Sequence, residues 1–105
     1  MKIYFIYVTF GSLNDAKRLG GELVKNKLAA CTNIIPTIYS TYDWKNKTMM
    51  DKECSMIVKT SKSKVKKAIK FIVKQHSYEC PAVSAFPISS SHEDFKKWIN
   101  KQTRN

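Results

Sequence analysis

The chain has 105 residues, of which 43% are hydrophobic and 26% charged, and it carries a formal net charge of +11. That length makes one domain with one core, folding removing roughly 60–65% of the surface of the unfolded chain, and an aromatic content of 11% excludes a disordered polymer. The charge excess is nearly all lysine, with arginine only at Arg18 and Arg104, a balance that predicts no specific nucleic-acid partner, because such readers interleave arginine and exposed aromatics with their lysines.

The opening run, MKIYFIYVTFG, is apolar over only about eight residues and has no small-residue cleavage site after it, so neither a signal peptide nor a membrane span is predicted. A cytoplasmic protein with no membrane partner is expected. Ile3 to Thr9 is β-branched and aromatic throughout and reads as a strand. Both of its faces are apolar, Ile3, Phe5 and Tyr7 on one and Tyr4, Ile6 and Val8 on the other, so it needs cover on two sides.

Gly11 breaks that strand, and Ser12 with Asp15 resembles a capping box. Ala16, Leu19, Gly20, Leu23, Val24 and Lys27 then recur at helical spacing over about four turns. Ala29 to Ile35 and Thr37 to Trp44 read as one long strand with a bulge or kink at Pro36. Lys45-Asn46-Lys47 forms a hairpin turn, since asparagine tolerates the left-handed conformation, and Thr48 to Thr60 returns as the partner strand.

Ser61 or Ser63 is expected to cap a second helix with Val65, Ala68, Ile69, Ile72 and Val73 on its apolar stripe. Its other face carries Lys62, Lys64, Lys66, Lys67, Lys70 and Lys74, which read as a solvated exterior rather than a phosphate-binding stripe. A polar turn over Gln75 to Glu79 leads to a last strand, Cys80 to Ile88, bounded by Pro81 and Pro87. Phe95, Trp98 and Ile99 mark a short terminal helix with Ser91 as its cap.

The order is βαββαβ plus a terminal helix, an α+β, ferredoxin-like antiparallel sheet with both long helices on one face. The second face of the first strand must then be covered by the terminal helix or by another subunit. The aromatic hairpin around Trp44 also outruns a sheet built on so short a first strand, and an overhanging edge invites pairing with a neighbour. An oligomer is expected on these grounds alone.

Cys31, Cys54 and Cys80 are odd in number and lack CxxC spacing, which excludes a disulfide framework and a ribbon-type zinc site. Cys54 and Cys80 read as core thiols, and His92 as a surface residue. For a metal ion the candidate ligands are His76, an imidazole in a polar turn, and Cys31, a soft thiol that would suit Cu(I) or pack as a small hydrophobe. No nucleophile–base–orienter set is visible, so the chain is not expected to be an enzyme.

Leu28-Ala29-Ala30-Cys31-Thr32-Asn33-Ile34-Ile35-Pro36 resembles the LAACVNIIP signature of the CutA divalent-cation tolerance family. Tyr42-Asp43-Trp44-Lys45-Asn46-Lys47 is similar to its YxWxGK hairpin, and Ile57-Val58-Lys59-Thr60 to its strand ending in a KT pair. His76-Ser77-Tyr78-Glu79-Cys80-Pro81 resembles HPYEVP, and Asp94-Phe95-Lys96-Lys97-Trp98-Ile99 resembles the D-Y-x-x-W-I helix. The resemblance covers essentially the whole chain. It implies a tight homotrimer with hairpins exchanged between neighbours and a role in tolerance of copper or other divalent cations, without a catalytic reaction. Some relatives place two adjacent histidines at His76 and a cysteine near the end of the first strand; Gln75 and Val8 or Thr9 stand there instead. Tyr42, Trp44, Lys59, His76, Tyr78 and Glu79 all fall in the matching motifs. In a trimer they could line a cleft between subunits that accepts an anionic small molecule, or serve as interface anchors with a Lys59–Glu79 ion pair.

Overall fold

The computed structural model describes residues 2–104. Its elements run β1 (Ile3–Phe10), α1 (Leu13–Lys25), β2 (Cys31–Trp44), β3 (Lys47–Ser61), α2 (Val65–Gln75), β4 (Val83–Pro87) and α3 (Glu93–Gln102), with a 3₁₀ turn at Lys62–Lys64 before α2. The strands form one sheet in the order β2-β3-β1-β4, every neighbouring pair antiparallel. This is the split βαβ arrangement that the element order predicts.

β1 lies inside the sheet, between β3 and β4, and its two-sided apolarity is used on both sides. Ile6, Val8 and Phe10 point to the helices and pack with Cys54, Met56 and Val58 of β3 beneath Ala16, Leu19, Leu23, Ala68 and Ile72. These side chains are at most 2% exposed, and burying each of the larger ones contributes about 1.5–3 kcal/mol. On the opposite face Ile3 joins Ala30 and Ile99, with Phe5, Ile88 and Phe95 packed around them. α3 therefore covers one end of that face. The rest stays open: Tyr7 and Ile57 are half-buried, Asn33 is exposed, and Ile35 and Phe86 are 40% and 53% exposed. Ser55 is buried on this side, opposite Thr9 and Ile35, and its hydroxyl has no hydrogen-bond partner among the described residues.

α1 begins where Ser12 Oγ accepts from the Asp15 amide at 3.1 Å, as the sequence predicts. It comes close to the sheet at Gly20, where a Cβ would stand 3.0 Å from Met56 Sδ and Thr32 Oγ1. The helix ends at Lys25 and Lys27 is not helical; with φ of 59° it turns the chain towards β2. The hairpin loop is tighter than expected, only Lys45 and Asn46, at φ of 50° and 65°, lying between Trp44 and Lys47. Positive φ at both central residues is the type I′ geometry that suits twisted strands. Pro36 sits in a bulge, the register shifting between Ile35 and Ile38.

Other boundaries depart from expectation. Neither Ser61 nor Ser63 caps α2: the chain enters it through the 3₁₀ turn, and Ser61 Oγ instead accepts from Thr103 Oγ1 at 2.9 Å. His92, not Ser91, stands at the start of α3. β4 has only 5 residues. Cys80 therefore falls outside the strand and is exposed, not a core thiol, whereas Cys54 is buried as expected. β2 and β3, at 14 and 15 residues, outrun the 8 residues of β1. Beyond the bulge they continue as a bare ribbon, every residue from 41 to 50 being exposed, which stretches the molecule to 46 × 26 × 21 Å.

Candidate functional site

The polar residues singled out by sequence gather at the end of β1. After α2 the chain turns through His76 and Tyr78, and the His76 ring stacks on Phe10 with centroids 4.7 Å apart and planes 10° from parallel. His76 Nδ1 accepts a hydrogen bond from the Tyr78 amide at 3.0 Å. An accepting Nδ1 is unprotonated, so Nε2 carries the proton of the neutral ring and donates it to the Thr9 carbonyl, 2.7 Å away. Both ring nitrogens are thereby engaged. A metal at either one requires release of a hydrogen bond that ties the α2–β4 turn to β1.

Tyr78 stands beside this histidine, the ring centroids 4.8 Å apart, and donates its hydroxyl to Glu53 Oε2 at 2.7 Å. Burial, then this carboxylate, pushes its pKa well above the ordinary tyrosine range, so it remains a donor at neutral and moderately alkaline pH. Its ring fills the space over Gly11, where a Cβ would lie 3.1 Å from the hydroxyl oxygen. Cys54 closes the same corner, its thiol donating to the Ser12 carbonyl at 3.3 Å. Burial, with Glu53 and Asp15 nearby, raises the Cys54 pKa and keeps the thiol protonated.

Asp51 lies two positions from Glu53 on β3 and so shares its face. Tyr42 of β2 donates its hydroxyl to Asp51, and that bond is the first cause of its raised pKa. Two tyrosine hydroxyls are thus bound to two carboxylates on one strand. Neither Asp51 nor Glu53 was singled out by sequence; their alternation along β3 was the available signal, and only the fold supplies Tyr78 as a partner for Glu53.

The remaining candidates lie elsewhere in the chain. Trp44 is at the hairpin tip, 60% exposed. Lys59 is on the α3 side of the sheet, its Nζ 5.3 Å from the Phe5 ring centroid and 5.6 Å from that of Phe95. It is half-buried between two aromatic faces and not in an ion pair with Glu79, which is exposed in the turn. Cys31 pairs with Lys59 across β2 and β3. Burial raises the Cys31 pKa and Lys59 pulls against that rise, so the thiol is the dominant form at neutral pH. His92 is exposed, as expected. Within one chain, then, Tyr42, His76 and Tyr78 lie along the Asp51–Glu53 edge, while Trp44 and Lys59 stand apart from it. Among the described residues no group of three or more His, Cys, Asp or Glu side chains is placed to hold a metal ion, and no helix is long and apolar enough to cross a membrane.

The fold and the motifs have close counterparts. Residues 4–102 match the CutA1 divalent ion tolerance protein family. The chain is 36% identical over 100 residues to Protein CutA, chloroplastic, of Arabidopsis thaliana, covering 95% of this chain and 55% of that protein. It thus spans little more than half the length of this relative. Its structure superimposes on the crystal structure of the divalent ion tolerance protein CutA1 from Ehrlichia chaffeensis with a TM-score of 0.96, at 34% identity and covering 100% of this chain and 99% of that one. The periplasmic divalent cation tolerance protein CutA of Archaeoglobus fulgidus superimposes with a TM-score of 0.92 at 36% identity, covering 97% and 99% of the two chains. With the family matched from β1 to the end of α3, the chain belongs to the CutA1 divalent ion tolerance proteins.

Proposed function

We propose that this chain works as a homotrimeric divalent-cation tolerance protein that binds copper at low stoichiometry, without catalysing a reaction. The observation that carries the assembly is the pairing of an incompletely covered sheet face with an overhanging aromatic ribbon. Ile35 and Phe86 stay exposed on the face, and Tyr39, Trp44 and Met50 on the ribbon are 70%, 60% and 68% exposed. Exposed apolar area of that kind on a sheet edge is an association surface, and a neighbour's ribbon laid across the open face covers both at once. The Ser55 hydroxyl then gains a source of hydrogen-bond partners.

Cation contact falls to Cys31 and His76. Cys31 ligates as a thiolate only after losing its proton, and His76 only after releasing Tyr78 or Thr9, so binding is weak and couples to local opening. Free Cys31, Cys54 and Cys80 support a reducing, cytoplasmic setting. The test combines mass and titration. Sedimentation should give three times the 12.1 kDa chain mass, and Cu(I) or Cu(II) titration should weaken in His76→Ala and Cys31→Ala. A monomer removes the assembly; equal, negligible uptake by wild type and variants removes both ligands.

The separation of Trp44 and Lys59 from His76, Tyr78 and Glu79 favours a second reading, a trimeric small-molecule sensor or protein-anchoring adaptor. Its cleft would combine Tyr42 and Trp44 of one chain with Lys59, His76, Tyr78 and Glu79 of its neighbours. Thermal-shift screening of anionic metabolites against wild type and Lys59→Ala tests it, and a panel without any stabilised condition defeats it.

A further inference from the structure

α3 and the 3₁₀ turn enclose a groove of about 870 Å³, whose lining among the described residues includes neither Asp51 nor Glu53 nor the exposed Asn33, Ile35 and Phe86 of the open sheet face. Its wall carries Lys64, Lys97, Lys101 and Arg104, together with the Trp98 indole and the Ser63 hydroxyl, and Asp94 is the one carboxylate among its described residues. Lys64 is buried, whereas the other three cations are exposed. Lys97 and Lys101 are one helical turn apart on the same side of α3, where like charges repel. Among the described residues none of these three cations forms an ion pair; the salt bridge of α3 is Lys96–Glu93. Nor are they needed to finish the helix. The Ile99 carbonyl is already taken by the Thr103 amide, and the Lys101 carbonyl by the Arg104 amide.

Trp98 is 41% exposed. One side of the indole packs against Phe95, the ring planes 17° apart and the centroids at 6.2 Å, and the indole also borders the groove. The groove's volume lies in the range of small-molecule sites, about 300–1,000 Å³, and a lone inorganic anion would leave most of it empty. We propose that this groove is a binding site for an organic phosphate bearing a flat ring, the phosphate held by Lys97, Lys101 and Arg104 and the ring laid against Trp98. Arg104 supplies the forked donor geometry that phosphate oxygens match, the lysines supply charge, and the indole supplies stacking area. Every residue involved comes from one chain, and none of them is a candidate copper ligand.

The sequence contains 2 tryptophans, so Trp44→Phe leaves Trp98 as the sole indole reporter. Titrating that variant with ATP, a probe holding both a ring and phosphates, should quench Trp98 saturably. Adding Lys101→Gln and Arg104→Gln together should weaken the midpoint at least tenfold, whereas Lys70→Gln, an exposed cation on α2 outside the groove, should leave it unchanged. Ribose 5-phosphate should compete more weakly than ATP. The proposal falls if ATP gives no saturable quench, if Lys70→Gln weakens binding as much as the groove pair, or if adenosine binds as tightly as ATP.

Discussion

The two ends of the β2–β3 hairpin are built from similar residues and have opposite fates. Near β1 the strands carry Met56 and Val58, sealed under α1 and α2 with no exposure; beyond the bulge at Pro36 they carry Tyr42, Trp44 and Met50 in the open. Apolar side chains are therefore not core by composition. They are core where β1 and the helices supply a second layer, and β1 stops at Phe10 while the ribbon continues. The base of the hairpin stabilises the fold of the chain, and its tip stabilises only what it can meet outside.

Core deletion breaks this comparison hardest. Ile6→Ala empties a fully buried position under both helices and should cost about 3 kcal/mol. Trp44→Ala removes a larger side chain that is 60% exposed, and in dilute monomer it should cost under about 0.5 kcal/mol. Urea unfolding of the two variants at low protein concentration measures the contrast. Equal losses would mean that the ribbon tip is packed in solution, and the Trp44→Ala loss should then shrink on dilution.

A smaller contrast lies within α1. At Gly20 a methyl group would press on Met56 and Thr32, while at Gly21 nothing stands within 4 Å. Alanine is the better helix former by about 0.8–1 kcal/mol, so Gly21→Ala should raise the melting temperature. Gly20→Ala meets an overpacking cost of about 1–3 kcal/mol that outweighs that gain, and should lower it. The same sign at both positions would show that α1 shifts on the sheet without penalty.

What could be read from the chain alone tracks how local each feature is. The two-faced β1, the Ser12 cap, the bulge at Pro36 and the overhang of the Trp44 hairpin follow from residues a few positions apart. The CutA motifs placed the right side chains in the right elements. What was missed depends on contacts between distant segments. Glu53 gained importance only when the α2–β4 turn brought Tyr78 to it, and His76 looked like an available ligand until backbone groups of Thr9 and Tyr78 occupied its ring. Cys80 read as the start of a strand, but β1 offers β4 partners only from Val8 to Tyr4, so pairing begins at Val83. The cations of α3 drew no attention in the sequence, and only the packing of α3 beside the 3₁₀ turn gathers them at a groove.

The smallest effect separates the two carboxylate-bound tyrosines. Tyr78 is half-buried against His76 and Gly11, whereas Tyr42 lies on the exposed ribbon. Removing the hydroxyl in Tyr78→Phe should cost about 1 kcal/mol at neutral pH, because Glu53 is itself partly open to water and recovers some hydration. The pH dependence carries the sharper signature. Burial and Glu53 raise the folded-state pKa of Tyr78 above its unfolded value, so the folded protein holds this proton more tightly than the unfolded chain. The stabilisation is complete below the unfolded pKa of about 10 and is lost progressively as pH rises past it. Wild type should lose stability between about pH 9.5 and 11 more steeply than Tyr78→Phe, the two converging as the hydroxyl's contribution disappears. Urea midpoints measured across that range decide it. Parallel pH profiles would mean that the Tyr78–Glu53 bond is not held in solution, and the corner joining β1, β3 and the α2–β4 turn would then be as loose as the ribbon it borders.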